Sequence, residues 1–339
     1  MIKESLAKLA QGDDLTEDEM IGATNVIMEG RASPAQIGSF LTALRLKGET
    51  VDEITGAARV MREKSLKVSF KAPTLIDTCG TGGDGAQTFN ISTTAAFIVA
   101  AAGIPVAKHG NRAMSSRCGS ADVLEALGVK VDLPPQKVEH CLEETGIGFL
   151  FAPVFHQAMK HAIGPRKELG FRTVFNLLGP LTNPAAANCQ LVGVFHPELT
   201  EVVAMVLQRL GIERAVVVHG GGGLDELSLD GENKASILKD GMITNLIFNA
   251  ADLGLITAPK EALKGDRPAE NARITEDILK GIEQGPKLAV VLLNAGAALL
   301  AANVVADLKE GITLAQKLIS EGKAYAKLEQ LRRVAVLSV

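Results

Sequence analysis

Four glycines within six residues, Gly80, Gly82, Gly83 and Gly85, constrain this chain more than any other stretch of it. They follow a short apolar run ending in Leu75 and Ile76 and precede a small-residue helical pattern that begins near Ser92. The order is strand, loop, helix. Residues without a Cβ let backbone N–H groups approach an anion closely, and a helix start adds unpaired donors and the positive end of a dipole. Asn90, Ser92, Thr93 and Thr94 stand at that start with side chains suited both to capping and to phosphate oxygens. A second polar cluster follows at once: Lys108, His109, Gly110, Asn111 and Arg112, then Ser115, Ser116 and Ser120. Two such cradles at one sheet edge suit a substrate carrying phosphates at both ends.

The letters from Gly80 to Gly85 also spell G-x-G-x-x-G, the dinucleotide-binding pattern. That site needs a helix opening inside the glycine run and an acidic residue roughly 20 positions on. Here the helical pattern starts well after Gly85, and the next strand, 104–107, ends against Lys108 and His109. A nicotinamide oxidoreductase is therefore a weak reading. Turn glycines with no ligand at all are the bland alternative, and the clustering of polar groups after two successive strands weighs against it.

At 339 residues the chain has room for two domains and a sizeable core. Its 35 Lys and Arg against 39 Asp and Glu give a net charge of −4, which advertises no nucleic-acid partner. Cys79, Cys118, Cys141 and Cys189 lie far apart without CxxC or metal-ligand spacing, so they fit reduced thiols in a cytoplasmic protein. Cys79 borders the glycine loop, where a small buried hydrophobe is favoured over a nucleophile. The N-terminal residues lack an apolar targeting segment. The uncharged run 288–306 has membrane-spanning length, but it holds Asn294 and Asn303 and no aromatic belt flanks it. A buried helix of an α/β core, and no membrane contact, is expected.

Residues 1 to about 66 read as helical throughout. Capping boxes pair Thr16 with Glu19, Ser33 with Gln36 behind Pro34, and Thr50 with Glu53, while Gly30 and Gly48 serve as stops. Short helices with exposed apolar faces suit pairing with a second subunit. After a connector at 67–73 the period changes. Strand-like runs at 75–78, 104–107, 147–151, 190–195 and 214–218 alternate with helical ones, a hairpin is expected at 233–248, and the tail from about 271 is helical. The expected fold is α/β: a small N-terminal helical-bundle domain, residues 1–70, and a larger α/β domain, 71–339, whose mostly parallel central sheet is flanked by helices. Ligands of such sheets bind beyond the carboxyl ends of the strands. A third loop there, HGGGGLDEL, places Asp225 and Glu226 side by side, a mobile pair suited to Mg²⁺ and substrate phosphates. Arg166 has a fork that holds a carboxylate, whereas Lys167 and Arg172 read as surface residues.

The segments DTCGTGGDGAQTFNIST, VAKHGNRAMSSRCGSADVLEALG, GPRKELGFRTVFNLLGPLTNPA and HGGGGLDEL together resemble the signature segments of the anthranilate phosphoribosyltransferase family. The resemblance implies a nucleoside-phosphorylase-like fold, a homodimer formed through the helical domain, and a part of 167–190 that returns to that domain. It implies transfer of a phosphoribosyl group from phosphoribosyl pyrophosphate (PRPP) to anthranilate in tryptophan biosynthesis. PRPP would then meet Gly80, Gly83, Asp84, Thr88, Asn90, Ile91, Ser92 and Thr93. The stretch Lys108, His109, Gly110, Asn111, Arg112, Ala113, Met114, Ser115 and Ser116, with Ser120, would complete its site. Anthranilate would face Gly80, Asn111 and Arg166; Mg²⁺, as two ions, would sit on Ser92, Asp225 and Glu226. Lys108, Asn111 and Arg166 would carry catalysis, with no obvious general base. A pyrimidine nucleoside phosphorylase shares the implied fold and is the nearest alternative; a non-catalytic nucleic-acid-binding relative would lack Arg166 or the acid pair.

Overall fold

The computed structural model describes residues 2–113 and 117–337, so Met114, Ser115 and Ser116, three of the expected PRPP contacts, lie outside the described residues. Seven strands form one sheet: β1 (Ile76–Gly80), β2 (Val106–Gly110), β3 (Ile147–Phe151), β4 (Cys189–Gly193), β5 (Arg214–His219), β6 (Glu232–Lys239) and β7 (Met242–Asn249). Their order is β3-β2-β1-β4-β5-β6-β7. The first five run parallel, and the expected hairpin β6–β7 extends the sheet antiparallel. The sheet is mostly parallel, as the alternating pattern required.

Strand order reverses at β1, which has β2 on one side and β4 on the other. Such a switch point opens a crevice beyond the strand ends. The register puts Gly80 of β1 opposite Gly193 of β4 at that opening. A Cβ on either would collide with Asp225, so the two glycines let the acidic loop close down onto the sheet rim.

Apolar periodicity misplaced two strand ends. It stopped the first strand at residue 78, whereas β1 pairs with β4 as far as Gly80. It ended the second at residue 107 and put Lys108 and His109 in the loop beyond, whereas β2 runs on to Gly110. The reason is the neighbour: the wholly buried β3 pairs Phe149 with Lys108 and Leu150 with His109, carrying the ladder through two polar residues.

Alternation on each strand separates two cores. Val216 and Val218 of β5 face the layer holding helices Ile91–Ala101 and Pro286–Ala301. Ala215 and Val217 face the other layer, which includes the N-terminal helices. The uncharged run 288–306 is largely accounted for by Pro286–Ala301, buried over most of its length, and no helix among the described residues is long and apolar enough to cross a membrane.

All three N-terminal capping boxes form. Thr16, Ser33 and Thr50 each accept from the backbone N–H three residues on, and each donates its own N–H back to that residue's side chain. Glu53, fully buried, also accepts from the Leu15 N–H at 2.9 Å and pairs with Lys47 at 3.0 Å, tying three segments of the bundle together. Val174, Phe175, Leu177, Leu178 and Leu181 of the helix Val174–Leu181 share this core.

Candidate functional site

The crevice is a cavity of about 700 Å³. Every described residue expected to bind substrate or metal lines it, from Gly80 on β1 through Ser120 to Arg166 and the acid pair Asp225 and Glu226. Its two ends differ chemically.

At the sheet rim the groups are polar. The glycine loop takes positive φ at Gly82, Gly83 and Gly85, conformations that L side chains rarely adopt. Asp225 Oδ2 accepts from the Gly82 N–H at 2.6 Å, and Glu226 Oε1 accepts from the Ser92 N–H at 3.1 Å in the first turn of Ile91–Ala101. The acid pair thus spans the loop and the helix start. It is also anchored from behind, contrary to the mobile loop the sequence suggested. The fully buried Asn294 side chain donates to Leu227 O at 3.0 Å and accepts from Leu227 N–H at 3.0 Å, directly after Glu226. Asn294 entered the sequence reading only as an argument against a membrane helix; its role becomes visible once that helix is packed under the loop.

Burial pushes Glu226 up to about 7, although Lys108 and the Ser92 hydrogen bonds pull the other way. Asp225 is pushed well above the carboxylate range by burial first, then by the charges of Asp84 and Glu226. Two half-buried acids raised by their own neighbourhood form a site that a hard cation would relieve. Lys108 lies beneath them, its ammonium donating to Thr78 O and to Ser92 Oγ at 3.3 Å, and burial holds its pKa below the usual lysine value. Arg112, expected on PRPP, stands at the rim with its guanidinium on Glu125 at 2.6 Å and Asp122 at 3.1 Å. Asn111 joins the loop to Ser120, whose hydroxyl accepts from the Asn111 N–H at 3.2 Å.

The opposite end is less polar and carries cations of the helix Lys160–Leu169, where Lys160, Arg166 and Lys167 line the cavity. Arg166, on the helix Lys160–Leu169, lies over the Phe175 ring at 5.1 Å, and Met61, Met159 and Ile163 complete the lining. An aromatic ring bearing a carboxylate matches that combination. Two residues that the sequence did not mark as functional act at the site, His156 from the cavity wall and the exposed Arg172 from outside it. His156 faces His109 with ring centroids 5.0 Å apart, and burial takes it down to about 3, so it is neutral at neutral pH. Arg172, read as a surface residue, stacks on Phe195 at 4.3 Å and donates to Gly83 O at 2.9 Å, bracing the glycine loop. No local signal marks either residue, because each depends on partners about 20 to 90 positions away.

Residues 3–65 match the family described as "Glycosyl transferase family, helical bundle domain", and residues 72–325 match "Glycosyl transferase family, a/b domain". Fold and cavity therefore define a glycosyl transferase built from a helical bundle and an α/β unit. The anthranilate phosphoribosyltransferase of Moorella thermoacetica is 57% identical over 98% of this chain and 97% of its own length; that of Pelotomaculum thermopropionicum is 56% identical over 98% and 96%. Among solved structures, the Thermus thermophilus enzyme superposes with a TM-score of 0.93 at 47% identity, covering 98% of this chain and 99% of that one. The Saccharomyces cerevisiae enzyme, solved in complex with PRPP and Mg, gives 0.90 at 29% identity over 99% and 98%. The chain belongs to the anthranilate phosphoribosyltransferase family.

Proposed function

We propose that this chain transfers the phosphoribosyl group of PRPP to the amine of anthranilate, releasing pyrophosphate. The observation that carries the reading is the two-ended cavity, with anion cradles and an acid pair at the sheet rim and Arg166 over an aromatic ring at the far end. The relatives support anthranilate as acceptor over phosphorolysis of a pyrimidine nucleoside.

The bond from ribose C1 to pyrophosphate breaks, the amine nitrogen bonds to C1, and one amine proton is released. The amine is already neutral near pH 7, so this chemistry depends on positioning and charge stabilisation. The glycine-loop and helix-start N–H groups would hold the phosphate oxygens, with Lys108 contributing charge from below. Arg166 would orient the acceptor through its carboxylate, and Gly80 and Asn111 would border the space between the two substrates. Ser92, Asp225 and Glu226 fit Mg²⁺ by donor chemistry, and we assign two ions to the site. When bound, Mg²⁺ supplies positive charge to the departing pyrophosphate.

We further assign residues 1–70, with the part of 167–190 that shares their core, to a helical domain that pairs with a second copy of the chain in the cytoplasm. Leu46, 83% exposed on Pro34–Lys47, supports such a pairing. Fluorescence of anthranilate followed with PRPP and Mg²⁺ present, then with each omitted, tests the reaction. Loss of signal only in the complete mixture is expected, and loss without PRPP would overturn the reading.

A further inference from the structure

The stretch 263–271 passes behind both polar loops. Its backbone pairs with the end of the glycine loop: the Phe89 N–H donates to Leu263 O at 3.1 Å, and the Gly265 N–H donates to Gln87 O at 3.0 Å. Gly265 has no room for a side chain, since a Cβ there would stand 2.7 Å from Phe89 Cα and 2.5 Å from Asn271 Oδ1. The chain then enters the helix Pro268–Leu279, which presents Asn271, 1% exposed, to the same place.

From there a line of amide hydrogen bonds crosses the site. The Asp266 N–H donates to Asn271 Oδ1 at 2.8 Å, Asn271 Nδ2 donates to Asn90 Oδ1 at 3.1 Å, and Asn90 Nδ2 donates to Cys118 O at 3.2 Å. Asn90 occupies the N-cap position of Ile91–Ala101, yet its side chain makes no capping bond. It links the glycine loop to the loop that ends at Cys118, and its amide oxygen is held by Asn271 Nδ2, the stronger donor, together with the Cys118 thiol at 3.3 Å. Outside this line, the exposed ion pair of Arg117 with Asp266 at 2.6 Å joins the loop that ends at Cys118 to the 263–271 stretch.

We propose that Asn271 is a positioning residue for PRPP. By orienting the Asn90 amide it sets the separation of the two anion cradles, which must match the distance between the phosphates at the two ends of one sugar. The inference rests on the reading above that Asn90 borders the PRPP site. An unlinked pair of loops would still bind each phosphate but would lose the fixed geometry that lets one substrate engage both.

Asn271→Asp puts an oxygen where the donor stood, opposing Asn90 Oδ1; Asn271→Ser shortens the side chain out of reach. Both should raise the KM for PRPP about 10-fold, the worth of one buried hydrogen bond, with the KM for anthranilate at saturating PRPP unchanged. Thr275→Val is the control. Its hydroxyl lies 3.0 Å from that of Thr94, one turn along the same helix and against the same neighbour. It should lower the melting temperature as Asn271→Ser does while leaving the KM for PRPP alone. Asn90→Ala should raise that KM by itself, and adding Asn271→Ser to it should cause little further change, because the two act through one link. Asn271 variants with unaltered KM for PRPP, or Thr275→Val raising it equally, overturn the inference. If Asn90→Ala itself leaves the KM unchanged, the placement of PRPP at Asn90 fails instead. Should Asn271→Asp not fold, Asn271→Ser and the double variant decide.

Discussion

Arg166 stands half-buried over Phe175 at the less polar end of the cavity, where burial already weighs against its charge. A carboxylate arriving there completes an ion pair that water cannot screen well. Arg166→Ala should therefore raise the KM for anthranilate by about 10- to 100-fold, the range of one hydrogen bond to a charged group, while the KM for PRPP moves little; steady-state kinetics with each substrate varied check this. Glu226 carries a separate signature. Its pKa in the metal-free protein is about 7 against an ordinary 4.5, so the fold favours the protonated acid. That contribution is complete below about 4.5 and is lost as pH rises through about 7. Metal-free wild type should thus lose stability relative to Glu226→Gln across that window, by up to about 1.4 kcal/mol per pH unit. Urea titrations of both proteins at several pH values measure it, and parallel curves would contradict the assignment.

At the scale of elements, the helix Pro286–Ala301 does more than fill the core. Asn294 satisfies both backbone groups of Leu227, and with them the course of the loop that presents Asp225 and Glu226. Replacing it with leucine keeps the branched shape but leaves a buried N–H and C=O unpaired, at a cost of about 1–3 kcal/mol. Asn294→Leu should lower the denaturation midpoint and weaken Mg²⁺ binding in a titration; stability lost with metal affinity intact would separate the loop from the metal site. The elements themselves were legible in sequence wherever the signal was local. Thr16, Ser33 and Thr50 announced three helix starts because a capping box involves residues only three apart. The ends of β1 and β2 were not legible, since Gly80, Lys108 and His109 join the sheet through neighbours that come later in the chain.

For the whole molecule, the helical layer and the α/β layer meet at the cavity, and residues from both line it: Met61 and Phe175 on one side, Gly80 and Ser92 on the other. The exposed Leu46 places an apolar group on the outer surface of the bundle. If that surface pairs two copies, Leu46→Glu should shift the protein from dimer to monomer in light scattering coupled to gel filtration, and the fall of melting temperature on dilution seen for the wild type should disappear in the variant. Wild type running as a monomer would remove the proposed pairing.

The order of glycines, small helix formers and polar clusters was enough to determine an α/β sheet with a glycine loop and a helix start at its rim, because backbone freedom, capping and period are properties of neighbours in the chain. The four segments added the identity of the chemistry. What folding alone decided is which distant groups meet. Asn294 reaches under Leu227, Arg172 reaches Gly83, Asn271 reaches Asn90, and the Asp225 loop descends between Gly80 and Gly193. Contacts of this kind are set by the switch in strand order and by two cores packing on opposite faces of one sheet, and no local pattern encodes them.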